Sequence, residues 1–541
     1  MLARELLRAS LILASLVPAS LVIATLFVSR RSPFGSALRV TSLIVKLAVA
    51  AVALRCLSAF FTWIHVSADG STIGSMMRGL VQLDVVSSPM LLLVCTLALV
   101  VVRFSRTYLA AEGGLERYMR SLLLTLASVT LLVISNHLGV VIATWLATGI
   151  GLHQLLTFYR TRRQAVIVAH KEFLLSRLAD LFFFASVYLI DGEVGSLHID
   201  VVNDFVAANG LTPGLHLATA LLVVGVLLKS AQLPFHGWIQ LVMEAPTPVS
   251  ALLHAGIVNI GGFVMIRLAP LMAHAPLAQW MLLTVGLATA IVGALVMTTR
   301  TSAKVILAWS TVGQMGFMLV QCGLGVWHLA LLHLLAHSCY KAHCFLTTGG
   351  AVDSWRGAHL VRSPRPSIAF TALAVVFLGI AASPFYLAFT HTKLHTLHAS
   401  PSLGPLALAL VLSFVPTIAR ALAAGWRALG MAAVFTAGTT ALYFALHIVF
   451  AGIAPTIAAE AESPFKWKVV IVGLVVLFIA QTLFQTNPRG RLARFLLPHL
   501  SSGLYIDEWF TRLTFRIWPP RLERAAVVSR PSVAVGTQEA G

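Results

Sequence analysis

The sequence has 541 residues, of which 58% are hydrophobic and only 11% are charged, less than half of the roughly 25% charged residues of soluble domains. Apolar runs of about 20 residues, the length that crosses a hydrocarbon core of roughly 30 Å, recur along most of the chain and exclude an ordinary soluble protein. The formal net charge of +19 does not indicate nucleic-acid binding, because the lysines and arginines are scattered over short loops without an aromatic-interleaved basic patch.

Fifteen apolar segments, taken in chain order, are each long enough to cross the bilayer as an α-helix. The predicted fold class is therefore an all-α polytopic membrane protein with about 13 to 15 transmembrane helices, some of them broken by proline. The predicted spans cover about 11–28, 40–64, 84–102, 118–135, 138–158, 172–190, 214–234, 249–270, 276–298, 302–322, 327–350, 367–398, 403–423, 430–451 and 466–486.

Basic residues are concentrated in the loops on one side of this predicted membrane, whereas two loops on the other side are acidic. Cytoplasmic loops carry the excess of lysine and arginine in membrane proteins. The N-terminus is therefore predicted outside and the tail after Arg489 in the cytoplasm. The basic clusters are Arg30, Arg31 and Arg39; Arg103, Arg106, Arg117 and Arg120; Arg160, Arg162 and Arg163; Arg300 and Lys304; Arg356, Arg362 and Arg365; Arg420 and Arg427; and Arg489, Arg491 and Arg494.

No stretch rich in proline, glycine or serine divides the chain into globular units, so it is interpreted as one membrane domain. Residues 1–83 are predicted to be N-terminal transmembrane helices, 401–500 C-terminal transmembrane helices, and 501–541 an interfacial helix followed by a cytoplasmic tail. Within the last segment, Leu504–Trp518 mixes aromatic and charged residues as an amphipathic helix does. It is expected to lie on the membrane surface or to dock a partner.

Lys229 stands out because it interrupts the apolar segment LLVVGVLLKSAQLPFHGW. It lies about fifteen residues from the outer end of its predicted span, hence near mid-bilayer at roughly 1.5 Å per residue. A lysine at that depth costs about 2.5 to 3.5 kcal/mol on insertion scales, so it is expected to face a polar interior. Pro234 is expected to break the helix there, as in transporter ion sites. The alternative is a lysine that snorkels from a helix end.

A second polar group lies in the segment HLALLHLLAHSCYKAHCFL. His333, His337 and Lys341 are spaced at i, i+4 and i+8, which stacks them on one face of a helix that is otherwise apolar. Imidazoles in line with a buried lysine suit proton relay through hydrogen bonds and water. The alternatives are a zinc site, for which no third ligand lies nearby, and histidines that serve only in packing.

The segment MEAPTPVSALLHAGIVNIGGF combines Glu244 with a helix that enters the membrane and carries His254. Its two prolines force extended backbone on the residues before them, so a bent entrance is predicted instead of a continuous helix. Glu244 is expected to pair with Lys229 or to control access to it. A surface carboxylate is the alternative.

Two further intramembrane sites contain charged side chains. Arg177 and Asp180 are spaced at i and i+3 inside a span, where each is costly alone, so a buried ion pair is expected with either a structural or a pathway role. Lys393 follows Pro384 in SPFYLAFTHTKLH, a segment that is again proline-broken and polar. This lysine is interpreted as part of the pathway, or alternatively as a residue of the outer interface.

The segments LKSAQLPFHGW, MEAPTPVSALLHAG and HLLAHSCYKAHCFL resemble those of the proton-conducting antiporter-like subunits of respiratory complex I and Mrp-type cation antiporters. The resemblance spans roughly Asp84 to Lys393 and implies an antiporter-like, proton-conducting core over residues 84–400, with inverted repeats. It implies a proton path through the middle of the membrane. By motif match the path residues are Lys229, His254, His333, His337 and Lys341, with Lys393 in the second half-channel and Arg177 and Asp180 as the intramembrane pair.

One position departs from that family. Its fifth span usually carries a glutamate after a tryptophan, whereas here Leu146 follows Trp145. The usual Glu–Lys pair with Lys229 is therefore absent, and His153 or Glu244 is expected to compensate. Because of this departure and the residues of the motifs quoted above, the chain most resembles the membrane subunits of two-component inorganic carbon transporters.

This resemblance implies a cytoplasmic zinc partner of the DabA type, a large protein similar to β-carbonic anhydrases, and a location in a bacterial inner membrane. Flow of protons or another cation through the present chain would drive hydration of CO2 on that partner. The sequence contains no zinc constellation and no nucleophile triad, so the chain is expected to be a transporter subunit without a cofactor and not an enzyme. The alternatives are a cation/proton antiporter or complex I-type subunit, an intramembrane metalloenzyme, and a structural anchor.

Overall fold

The computed structural model describes residues 2–28, 33–66, 79–350, 367–391, 403–453 and 463–519. Within these residues, 11 helices are long and apolar enough to cross a membrane, and three shorter apolar helices supplement them. The prediction of an all-α polytopic membrane protein is confirmed. Each of the fifteen predicted spans overlaps a helix, because a bilayer leaves no water to satisfy the backbone and helices satisfy it internally.

The helices are numbered here in chain order. They are α1 Leu2–Leu26, α2 Pro33–Val66, α3 Ser87–Tyr108, α4 Leu115–Ile134, α5 Leu138–Leu156, α6 Arg163–Val194, α7 Ile199–Asn209, α8 Pro213–Lys229, α9 Gly237–Gln240, α10 Thr247–Ala255, α11 Ile260–Arg267, α12 Ala269–Ala273, α13 Pro276–Met297, α14 Ala303–Gly323, α15 Trp327–Leu346, α16 Ile368–His391, α17 Leu403–Ala424, α18 Trp426–Ile453, α19 Pro464–Thr486, α20 Arg491–Ser501 and α21 Ile506–Ile517.

Two predicted spans are interrupted, the first of them next to Pro234 as expected. Helix α8 ends at Lys229, and the chain stays non-helical until α9 begins at Gly237. The span predicted over 249–270 is divided into α10 and α11 by a short 3-10 turn, Ile257–Asn259. Lys229 and His254, two of the predicted pathway residues, therefore lie near the ends of helices, next to backbone groups that a continuous helix would hydrogen-bond internally.

Close helix packing holds the centre of the molecule together. A Cβ atom added at Gly286 of α13 would lie 2.6 Å from the carbonyl oxygen of Gly316 of α14. A Cβ atom added at Gly316 would likewise lie 2.6 Å from the carbonyl oxygen of Gly286. Small residues at such positions let membrane helices approach closely. This fixes α14, which carries part of the site described below, against its neighbour.

The C-terminal segment folds back onto the helices of the core. Helix α21 packs against α6, and Phe510 and Thr514 are its buried residues. Helix α21 therefore has a packing partner within the chain, and its expected place at the membrane surface stays a prediction. The contact joins residues more than 300 positions apart, which no local pattern indicates.

Candidate functional site

Lys229 is the last residue of α8, yet it does not snorkel. Its side chain is 4% exposed, and its Nζ lies 2.7 Å from Oδ1 of Asp180. Its ammonium also faces the rings of Trp145 and Phe183, at 5.2 and 5.7 Å from their centroids. A buried ammonium needs such a counter-charge, because an unpaired one is strongly destabilising.

Asp180 is shared between two cations. Its other carboxylate oxygen lies 2.9 Å from Arg177 of the same helix, so the ion pair expected from the sequence is present. Arg177 is partly exposed, whereas Asp180 and Lys229 are buried. Asp180 is therefore the counter-charge of Lys229 in this chain.

Neither residue expected to compensate for Leu146 does so. The nearest ion-pair partner of Glu244 is Arg162, at 3.9 Å, and both side chains are substantially exposed. The predicted pairing of Glu244 with Lys229 was therefore wrong, and its geometry is that of a surface carboxylate. His153 lies against His170 and Trp518, with ring centroids 6.3 and 5.9 Å away, and pairs with neither Asp180 nor Lys229.

Glu172 is the carboxylate that the sequence analysis missed. It is 4% exposed, and its Oε1 accepts a hydrogen bond from the Ser176 hydroxyl at 3.0 Å. Glu172 lines the same small cavity as Lys229. The cavity volume of about 20 Å³ leaves room for about one water molecule. A signal was present, because Glu172, Ser176 and Asp180 are spaced at i, i+4 and i+8 like the stripe on α15.

A second polar cluster connects α10, α14 and α15. Nδ1 of His254 lies 3.1 Å from the hydroxyl of Thr311. That hydroxyl donates to the carbonyl of Leu307 at 3.0 Å, and the same carbonyl accepts a hydrogen bond from Lys341 at 2.9 Å. His254 and Lys341, which the sequence placed in one pathway, are thus joined by an unbroken chain of hydrogen bonds, to which Thr311 contributes.

The stripe on α15 extends from Lys341 towards the other end of that helix. The His337 and His333 rings stand edge to face with centroids 6.0 Å apart. Nδ1 of His333 lies 3.0 Å from the side-chain oxygen of Gln321, and neither ring nitrogen of His337 has a hydrogen-bond partner among the described protein groups. The remaining pathway residue, Lys393, lies outside the described residues.

The described part of the chain offers no cluster of three or more histidine, cysteine, aspartate or glutamate side chains able to hold a metal ion. Two histidines, His333 and His337, suggested a zinc site. Nδ1 of His333 already lies at hydrogen-bonding distance from the side-chain oxygen of Gln321.

The comparisons with known proteins bear on this arrangement. Residues 135–419, more than half of the chain, match the transmembrane family described as "NADH:quinone oxidoreductase/Mrp antiporter, TM". The chain belongs to this antiporter family. The match includes every predicted pathway residue named above, from Arg177 to Lys393.

Within the family the chain groups with DabB subunits. It is 37% identical to the probable inorganic carbon transporter subunit DabB of Hydrogenovibrio crunogenus, over 86% of this chain and 87% of the relative. It is 38% identical to DabB2 of Halothiobacillus neapolitanus, over 79% and 78%. A chain of the Mrp complex from Dietzia sp. DQ12-45-1b has the same fold, with a TM-score of 0.60 at 21% identity. The alignment covers 94% of this antiporter-family chain and 60% of the Mrp chain.

Proposed function

We propose that this chain is the ion-conducting membrane subunit of an energy-coupled inorganic carbon uptake system. Protons or another monovalent cation flow through it and drive hydration of CO2 to bicarbonate on a cytoplasmic zinc partner of the DabA type. The observation that carries the conducting role is the pair of buried lysines, Lys229 and Lys341, each placed in a polar cluster inside apolar helices. The carbon substrate rests on the identity to DabB subunits.

The first cluster has the composition of a proton-exchange site. Lys229 and Arg177 supply two positive charges, and Asp180 and Glu172 supply two negative charges. A proton that passes from Lys229 to Glu172 leaves the total charge of these four groups unchanged, which limits the electrostatic cost of the step in a poorly solvated site. The cavity that both side chains line has room for a water molecule to bridge them.

The second cluster continues the route through the protein. His254 and Lys341 meet at one backbone group, because Thr311, which contacts His254, and Lys341 both donate to the Leu307 carbonyl. The carbonyl has no proton to pass on, so these contacts position the two side chains, and a proton passes between them through water. Ile257, one turn after His254, lines the cavity of Lys229 and also a second cavity beside it. The proposed order of the path is Lys229, His254, Lys341, His337 and His333. Lys393 is proposed as its terminal lysine, and Glu244 is proposed to lie at the surface near the point where ions enter the path.

The proposed orientation keeps the N-terminus outside and the C-terminal tail in the cytoplasm of a bacterium, in its inner membrane. The support is that several basic clusters meet at one end of the molecule. Arg300 lies close to Gly503, just before α21, and Trp518, just after α21, contacts His170 near the arginine-rich start of α6. Basic residues at one end of the bundle mark the cytoplasmic side. The zinc and the catalysis are proposed for the partner.

The second candidate is a cation/proton antiporter or a complex I-type proton-pumping subunit. It is favoured by the 32% identity to NADH-ubiquinone oxidoreductase chain 5 of Metridium senile, over 57% of this chain, and by the fold shared with the Mrp chain. Both candidates use the same buried groups and differ in the partner. A carbon transporter needs one soluble zinc protein, whereas the alternative needs several membrane partners.

Growth in ambient air of a bacterium that lacks carbonic anhydrase tests the proposal. The strain expresses this chain with its DabA-type partner, either as wild type, as Lys341→Met, or as Lys468→Met, which removes an exposed lysine near the start of α19. We expect the wild type and Lys468→Met to restore growth and Lys341→Met to fail at equal membrane levels. Growth with Lys341→Met would remove this lysine from the mechanism.

A failure of the well-expressed wild-type pair would instead favour the second candidate. Proton flux into liposomes that contain the purified chain separates the two parts of the proposal. Flux without growth rescue would keep the conducting role and exclude the carbon substrate. No flux with or without the partner would exclude the conducting role.

A further inference from the structure

A buried ion pair ties the C-terminal helix to the helix that carries Glu172. Nζ of Lys171 lies 2.6 and 2.7 Å from the two carboxylate oxygens of Asp507 and donates to the Thr511 hydroxyl at 2.9 Å. The Lys171 side chain is fully buried, whereas that of Asp507 is 29% exposed. Asp507 therefore joins the protein interior to the solvent at this end of the bundle.

This pair lies directly beside the Lys229 cavity. Lys171 precedes Glu172, which lines that cavity, and Gly237 precedes Trp238, which lines it too. A Cβ atom added at Gly237 would overlap the Asp507 carboxylate, at 1.4 Å from its Oδ1. Lys171 and Gly237, which contact Asp507 from two other segments, are thus immediate neighbours of cavity-lining residues.

Along α6 the polar groups form a ladder between the pair and the buried lysine. Asp180, Ser176 and Glu172 follow each other at four-residue intervals, or about 6 Å per step at the helical rise. This row runs towards the arginine-rich start of α6, where Lys171, the residue before Glu172, binds Asp507 from the adjoining face of the helix. Water that reaches Glu172 from this side passes the place where α21 covers α6.

Few contacts hold α21 in that place. Of its residues, Phe510 and Thr514 are buried, while Trp509 and Ile517 are 65% and 60% exposed. Phe510 meets Phe235 edge to face at 5.9 Å. After the helix, Trp518 stacks on His170 at 3.9 Å between ring centroids. Segments with few buried contacts open at low free-energy cost.

We propose that α21 is a gate over the access to Glu172 and Lys229 from the arginine-rich side, and that the Lys171–Asp507 pair holds it closed. The inference rests on the proposed conducting function. Opening of α21 exposes the polar ladder to water, and closing isolates it. A partner that binds near α21 then controls when ions reach the buried site.

The first test measures access and does not depend on ion flux. In a chain whose five native cysteines are replaced, Glu172→Cys is treated with a water-soluble, membrane-impermeant methanethiosulfonate from the side of α21. We expect labelling at least about 10-fold faster when Asp507→Asn is added, because the population of the open state rises. The matched control is Glu508→Gln, which removes the neighbouring exposed carboxylate and should leave the rate unchanged. Equal rates in all three chains would overturn the gate.

The second test keeps the Lys171–Asp507 pair intact. Cysteines replace His170 and Trp518, whose rings are stacked, and oxidation then cross-links α21 to α6. We expect proton flux through liposomes to fall about 10-fold on oxidation and to return on reduction, since the closed state is fixed. A matched pair, His137→Cys with His198→Cys, joins two other rings in contact, 5.1 Å apart, and should conduct equally in both states. Full flux through the oxidised first pair would show that α21 does not move and would overturn the gate.

The two tests also separate this inference from the proposed function. Faster labelling with Asp507→Asn in a chain that carries no flux would support the gate and exclude the conducting role. Proton flux in the wild type, together with unchanged labelling and no effect of the cross-link, would support the conducting role and overturn the gate.

Discussion

Asp180 and Lys229 form an ion pair at 2.7 Å between α6 and α8, and each side chain is only 4% exposed. Asp180 also holds Arg177 at 2.9 Å. A single carboxylate thus pairs with two cationic side chains inside the membrane-spanning helices. We expect stability and the proposed ion conduction both to depend on this contact, and substitutions separate the two contributions.

Asp180→Asn should impair both stability and conduction. Removal of one partner of a buried pair leaves the other charge uncompensated and costs about 3 to 5 kcal/mol, so the unfolding midpoint in detergent should fall clearly. The double variant Asp180→Asn with Lys229→Met should regain much of the stability, because no buried ammonium then lacks its partner. It should still carry no proton flux. A double variant with normal flux would show that the pair is structural.

Glu172→Gln should reduce proton flux by at least about 10-fold, equivalent to roughly 1.4 kcal/mol in the barrier, while the unfolding midpoint changes little. The amide keeps the size of the side chain and the contact with Ser176 but cannot accept a proton from Lys229. Glu508→Gln, at an exposed position of α21, is the matched control and should conduct normally. Wild-type flux in Glu172→Gln would remove this carboxylate from the pathway.

The positions of the spans could be read from the sequence because long apolar runs have one stable solution in a bilayer, the α-helix. The residues at which those helices end could not be predicted from the sequence. Pro234 correctly indicated a break, but α8 ends at Lys229, five residues earlier. Where a helix stops near a proline depends on which neighbouring groups accept the freed backbone and side chains, and those neighbours come from other helices.

Pairings within the site were predicted only where both partners lie close in sequence. Arg177 with Asp180 follows from helical spacing, whereas Lys171 with Asp507 joins positions 336 residues apart. Glu172 could have been found, since it continues the four-residue spacing of Ser176 and Asp180. The absence of a glutamate on α5 favoured His153 and Glu244 as compensating residues, whereas the counter-charge of Lys229 lies on α6.

Thr311→Val should lower proton flux several-fold without loss of folding. Valine has nearly the shape of threonine but lacks the hydroxyl that contacts His254 and donates to the Leu307 carbonyl, so the His254 ring loses the group that holds it in this cluster. Thr311→Ser keeps the hydroxyl and should retain most of the flux. Thr284→Val, on the exposed side of α13, is the control for the loss of a hydroxyl. Equal flux in Thr311→Val and Thr311→Ser would contradict this role.

Arg267→Leu should act mainly on stability. Arg267 is buried, pairs with Asp84 at 3.0 Å and donates to the Ser135 carbonyl at 2.9 Å, so it joins the end of α11 to the start of α3 and the end of α4. Its loss leaves buried acceptors unsatisfied and should cost about 3 kcal/mol, measured as a lower unfolding midpoint. Arg512→Leu, at an exposed pair on α21, should change the midpoint little. The Arg267→Leu protein that remains folded should carry a proton flux near that of the wild type.

Metal analysis distinguishes the transporter subunit from an intramembrane metalloenzyme. Zinc bound by His333 and His337 would need a third protein ligand, and His333 already has Nδ1 at hydrogen-bonding distance from Gln321. We therefore expect the purified chain to contain far less than one zinc per molecule, and a chelator to leave its proton flux unchanged. In the complex with the DabA-type partner, zinc should appear and should follow the partner when the two are separated. Stoichiometric zinc in the isolated chain, lost in His337→Ala, would favour the metalloenzyme, because a proton relay through the same histidines requires no metal.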